Sequence, residues 1–128
     1  MKILGNGVDI VENSRIKKLT KKLDFVQRIY SSSEIKDSKM IKNKANFFAK
    51  RFAAKEAFVK SLGTGFRNGI NFKDISIKND NYGKPIIRIN ENIKKILKKK
   101  FKINKFQIFL SLADEKKHSI AFVIINKS

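Results

Sequence analysis

Glu56 sits in RFAAKEAFVKSLGTG, residues 51–65, between Lys55 and Lys60. The chain carries 30 Lys and Arg against 11 Asp and Glu, so an acid in an unusual setting calls for a reason. At about 100° per residue on a helix, Glu56 lies about 40° from both Phe52 and Lys60, at the edge of the inward face. One use of that spacing is a surface Glu–Lys pair, worth about 0.2–0.5 kcal/mol. The other is chemical: the carboxylate holds a divalent cation that bridges phosphate oxygens, and Lys60 takes up remaining negative charge. Mg²⁺ draws on one or two carboxylates plus phosphate and water, so a second hard oxygen donor is needed. Asp9 is the candidate. It follows Gly5 and Gly7 on the opening segment, where paired glycines mark close approach of a ligand or of another backbone. The glycines of GTG, beginning at Gly63, would let a phosphate or ribose approach the main chain.

The elements that must position these groups follow from periodicity. Residues 2–11, KILGNGVDIV, alternate as a strand, with Leu4, Val8 and Ile10 on one face and Ile3, Gly5, Gly7 and Asp9 on the other. Residues 13–23 read as a short basic helix capped by Asn13 or Ser14, with Ile16, Leu19 and Leu23 inward. The serines of FVQRIYSSSEI read as a cap for another helix. Residues 44–62 are the main helix, with Phe48, Phe52, Val59 and Leu62 at three- and four-residue steps and Gly63 as its C-terminal stop. INFKDISIKND, NYGKP and IIRIN read as two strands about a turn. Residues 91–101 form a Lys-rich amphipathic helix. KFQIFLSLADEKKHSIAFVIIN is a second hairpin turning near DEKK. The class is α+β, a mostly antiparallel sheet with helices, in one domain spanning 1–128.

Composition narrows the partners. Net charge is +19, which suits an acidic partner. Lys, Ile and Asn, all with A/T-rich codons, together make 56 of the 128 residues, so base composition explains part of that charge. Only five of the thirty basic residues are Arg, the side chain that reads guanine and stacks on bases. The Phe residues fall at core spacing, so a nucleic-acid surface is not the expectation. No run of about 18 apolar residues is present, and a membrane span is not expected. The opening MKILGNGVDIV is too short and polar for a signal peptide. With no cysteine, the expected location is cytoplasmic.

In order along the chain, GNGVDIVENSRI, FVQRIYSSSEI, FFAKRFAAKEAFVKSLGTG, FKDISIKNDNYGKPIIRI and LSLADEKKHSIAFVII resemble the holo-acyl-carrier-protein synthases, the short bacterial 4′-phosphopantetheinyl transferases. The resemblance runs over nearly the whole chain. It implies transfer of the 4′-phosphopantetheine arm of coenzyme A to a serine of an acidic apo-acyl carrier protein. Adenosine 3′,5′-bisphosphate is released, Mg²⁺ is required, and the enzyme is a homotrimer with sites between subunits. It also implies that Asp9 and Glu56 hold the metal, and that Lys60 contacts the cofactor phosphate. The base for the serine is either Glu56 or a water on the metal.

The remaining residues are carried over one at a time. Lys42, Lys44 and Arg51 are candidates for the 3′-phosphate of coenzyme A. Gly63, Gly83 and Pro85 border the nucleotide, the last two in a turn that matches the family's N-G-K-P loop, with Tyr82 in place of its Asn. Arg15, Lys22 and Arg28 are docking positions for the carrier. Where the family often has a histidine after S-x-S/T, this chain has Asp114, with His118 beyond the turn. An acid there should repel phosphate unless it is paired or points away, so either coenzyme A affinity is weakened or a neighbouring lysine such as Lys116 compensates.

Overall fold

The computed structural model describes residues 2–63 and 69–128, so Thr64 and Gly65 of GTG lie outside the described residues. Lys2–Glu12 forms β1, followed by α1 (Asn13–Leu19), α2 (Leu23–Ile29), α3 (Ser32–Ser38) and α4 (Lys44–Ser61). A 3-10 turn at Phe72–Asp74 leads into β2 (Ile75–Asn79) and β3 (Pro85–Ile89). Then come α5 (Glu91–Phe101), β4 (Phe106–Asp114) and β5 (His118–Lys127). β1, β5 and β4 make a fully antiparallel sheet in that order, and β2 and β3 make a separate antiparallel hairpin.

α4 lies across the inner face of the three-stranded sheet. Ala53, Ala54 and Ala57 are small enough to bring its axis close, and Ala121, Val123 and Ile125 of β5 meet it from below, all fully buried. Its other sides pack on the smaller helices through Phe47, Phe48, Phe52 and Phe58. A helix that is apolar around its circumference is a buried helix. The expected inward residues Phe48, Phe52, Val59 and Leu62 are all buried. The ring of Phe25 stacks on Phe52 at 6.1 Å and meets Tyr30 edge-on at 6.2 Å, and Tyr30 lies tilted against Phe48 at 4.6 Å, which ties α2 and its C-terminal cap to α4.

Three expectations change. The segment 13–23 is two helices, not one. Thr20, Lys21 and Lys22 bond back to Ile16, Lys18 and Leu19 in a tightening last turn, and α2 begins at Leu23. Leu23 is therefore 68% exposed rather than inward. Asn13 does not cap α1. Its amide donates to the carbonyls of Glu115 and Lys116 and accepts from Ser119 Oγ, which pins the β4–β5 turn instead. The faces of β1 also differ in role. A register shift between Ile3 and Gly5 separates Leu4 from Val8 and Ile10, so Leu4 packs on the core while Val8 and Ile10 face outward, 56% and 59% exposed.

Candidate active site

Asp9 projects from the inner face of β1, and Lys60 from the last turn of α4. Lys60 Nζ donates to Asp9 Oδ1 at 2.9 Å and to the Val8 carbonyl at 3.1 Å. The Asp9 side chain is largely sheltered, 14% exposed, whereas the Lys60 side chain is 47% exposed. Glu56 sits one helical turn before Lys60, partly buried. Helix pitch brings the two side chains to neighbouring positions on one face. Asp9 and Lys60, two of the residues singled out by type and spacing, therefore meet across a strand–helix seam, with Glu56 one turn away along the helix.

The glycines before Asp9 make that seam possible. A Cβ on Gly7 would stand 2.0 Å from the Ala57 carbonyl oxygen, and one on Gly5 would stand 2.1 Å from that of Ser61. The space beside Asp9 is thus filled by helix backbone, the second of the two readings the paired glycines allowed.

A second group lies toward the N-terminal half of α4. Asn46, Phe47, Lys50 and Arg51 of α4 line a cleft of about 390 Å³ together with Asn79, Gly83 and Pro85 of the β2–β3 hairpin and Asp114 of β4. Gly83 turns at φ +83°, which only glycine adopts without strain, and Asp80 Oδ1 accepts from the Tyr82 and Lys84 amides to fix that turn. Arg51 is buried. Its guanidinium stacks 3.6 Å over the Phe47 ring, its Nε has no hydrogen-bond partner, and burial lowers its pKa. Lys44 does not line the cleft itself but donates to the carbonyl of Ile41, which does, and Lys42 is exposed. Gly63 follows α4 at φ +92°. Asp114 is paired, though not with Lys116. Asn46 Nδ2 donates to its Oδ2 at 2.8 Å, and Lys50 Nζ lies 3.6 Å from its Oδ1. Two sheet carboxylates thus each take a lysine from α4, Asp114 near one end of the helix and Asp9 near the other. His118 turns away from the cleft to Glu115, 2.9 Å from its carboxylate.

The basic positions lie elsewhere on the surface. Lys22 and Arg28 flank an open groove with Leu19, Leu23 and Phe25, and Arg15 borders a hollow beside Ile10 and His118. All three are exposed.

Sequence reasoning passed over Lys55 and Glu34. Both side chains are 0% exposed, and they form an ion pair of 2.5 Å. Burial lowers the Lys55 pKa, and Glu34 opposes that shift. The signal was present: Lys55 falls on the same helical face as Phe48, Phe52 and Val59, and Ser31 with Glu34 has the spacing of a capping box, which the structure forms.

A model of the 4′-phosphopantetheinyl transferase superfamily matches residues 5–123. The chain is 59% identical over 127 residues to a holo-[acyl-carrier-protein] synthase of Pelagibacter ubique, with 99% of each chain covered. Among solved structures, it is similar to the synthase of Neisseria meningitidis at TM-score 0.87 and 38% identity, over 98% of this chain and 100% of that one. It is also similar to the synthase of Bacillus anthracis in complex with CoA (3′,5′-ADP), at TM-score 0.81 and 34% identity over 98% of each chain. The Helicobacter pylori synthase in complex with coenzyme A gives TM-score 0.78 and 31% identity, over 94% of this chain and 99% of that one.

Proposed function

The chain belongs to the 4′-phosphopantetheinyl transferase superfamily as one of its holo-[acyl-carrier-protein] synthases, and from that premise we propose that the Asp9–Glu56–Lys60 seam is where it moves 4′-phosphopantetheine from coenzyme A to a carrier serine. The observation that carries the reading is the contact between Lys60 Nζ and Asp9 Oδ1, which joins residues 51 apart beside Glu56.

The donor set fits Mg²⁺. A cation, the Lys60 ammonium, already rests on an Asp9 carboxylate oxygen and the Val8 carbonyl, both hard oxygen donors. Among the described residues no group of three or more His, Cys, Asp and Glu is gathered to hold a metal. Asp9 and Glu56 would therefore hold the ion together with oxygens of substrate and water. Bound there, Mg²⁺ supplies neutralisation of the pyrophosphate charge. Lys60 stabilises charge on the departing nucleotide phosphate. The serine oxygen bonds to the β-phosphorus, the bond from that phosphorus to the bridging oxygen breaks, and adenosine 3′,5′-bisphosphate departs. The serine proton passes to a base, and Glu56 is the nearest carboxylate on the helix to fill that role.

The cleft along α4 takes the nucleotide end of coenzyme A. Arg51 Nε, a buried donor with no partner, and Lys50 at the rim suit the phosphates, while Gly83 leaves room beside the base. The acidic carrier docks on the exposed Arg15, Lys22 and Arg28. Val8, Ile10, Phe109, Ile120 and Phe122 leave the outer sheet face apolar and open, which suits assembly into a homotrimer whose sites are completed between subunits. No helix among the described residues is long and apolar enough to cross a membrane, and the proposed setting is the cytoplasm. Incubation with coenzyme A, Mg²⁺ and apo-carrier, followed by intact mass of the carrier, tests the transfer. A carrier mass that stays unchanged overturns it.

A further inference from the structure

The walls of the cleft belong to different elements. α4 supplies one, and the β2–β3 hairpin supplies the other through Asn79, Gly83 and Pro85. The hairpin lies outside the hydrogen-bonded ladder of the three-stranded sheet, with β3 packed alongside β4, and a two-stranded hairpin is marginally stable without such support. Its fully buried Ile75 and Ile77 give it adhesion, but apolar contact is non-directional and does not choose where along α4 it rests.

Most of the directional ties run through one buried pair. Lys55 Nζ, on α4, donates to the Ile75 carbonyl at 2.6 Å and the Phe72 carbonyl at 3.0 Å, both at the entry to β2. The same ammonium reaches the Ile29 carbonyl at 2.9 Å and Glu34 Oε1 at 2.5 Å. Glu34 Oε2 accepts from the Ile77 amide at 3.2 Å, and Oε1 accepts from the Ser31 amide at 2.9 Å. Ser31 Oγ lies 2.9 Å from Ser76 Oγ, again on β2. Every partner of the pair on β2 or its approach is a main-chain group, so the contacts fix backbone position and not side-chain identity.

We propose that the buried Lys55–Glu34 pair is a positioning device for the ligand cleft: it registers the β2–β3 hairpin on α4 and so sets the spacing between the cleft walls. This rests on the reading of the cleft as the coenzyme A site. Neither residue lines the cleft, and both act through Asn79, Gly83 and Pro85. A buried ion pair is a weak route to stability, because desolvation offsets its attraction. What it adds over an apolar pair of the same volume is direction.

The test is Glu34→Gln, which keeps the shape and an acceptor but removes the charge. The full chain is assayed with Mg²⁺, coenzyme A and apo-carrier well below the variant's own melting temperature, and amide exchange is followed at Ile77. The expected result is a KM for coenzyme A raised about tenfold, with kcat and the carrier KM within about twofold of wild type, and faster exchange at Ile77. If Glu34→Gln does not fold, Ser31→Ala cuts the hydroxyl link to Ser76 while leaving both charges, and the coenzyme A KM is expected to rise about two- to threefold. A folded variant with an unchanged coenzyme A KM, or with kcat and both KM values moving together, overturns the positioning role. A wild-type chain that binds no coenzyme A in calorimetry overturns the cleft reading as well, so the two failures are told apart.

Discussion

Lys60 Nζ donates to Asp9 Oδ1 across 2.9 Å, the link by which the last turn of α4 grips the opening strand. The contact puts a positive charge on a sheltered carboxylate before any substrate arrives. Asp9→Asn and Glu56→Gln should each keep the fold, since neither side chain is a large apolar core group, yet lose about 10²-fold or more in kcat/KM. Carrier mass shift gives the rate and circular dichroism gives the fold. Either variant turning over at the wild-type rate removes the metal assignment.

Gly7 permits the seam, and its side-chain-free surface is a stability requirement. Gly7→Ala drives a methyl to within 2.0 Å of the Ala57 carbonyl oxygen, a backbone atom that cannot rotate away. Stability should fall by about 3 kcal/mol or more, read as a lower urea midpoint. An unchanged midpoint would mean that α4 slides freely over β1.

Asp114 is held by Asn46 and Lys50, so its charge is largely spent on α4. Asp114→Ala removes a negative charge from the cleft and releases the Lys50 ammonium. The KM for coenzyme A should fall about two- to threefold, in line with a half-exposed ion pair, while the carrier KM stays the same. A rise in the coenzyme A KM would show that Asp114 orients its partners in a way the ligand needs.

Arg15, Lys22 and Arg28 stand exposed beside open hollows, where the proposed acidic carrier would be drawn by long-range charge. The carrier KM should rise as ionic strength climbs from about 0.01 to 0.15 M, over which the screening length shrinks from about 30 to 8 Å. A KM that is flat across that range removes electrostatic steering from the account.

Elements with strong periodicity were legible in the sequence: α4 and α5, both hairpins and the DEKK turn. The break after Leu19 was not, because Thr20–Lys22 interrupt no apolar spacing and the stop comes from backbone bonds in the last turn. The inner face of β1 was legible as unusual, but glycine alone does not say whether a ligand or a helix fills its gap. Asp9 and Glu56 could be named because acids are scarce in this chain, and Lys60 because it falls one helical turn from Glu56. Asn46 and Lys50 could not, since nothing in the sequence brings residue 114 to residue 46. Lys55 was hidden by its type: among 25 lysines, one at a core position looks like the rest.

Gly5 and Gly7 leave bare peptide touching bare peptide between β1 and α4. No side chain acts as a shim there, so the gap across which Asp9 faces the helix is set by main-chain dimensions that every sequence shares. Elsewhere the chain is rich in lysine, isoleucine and asparagine, 56 of its 128 residues. A change of side chain at those positions has little purchase on the distance that the proposed chemistry would use.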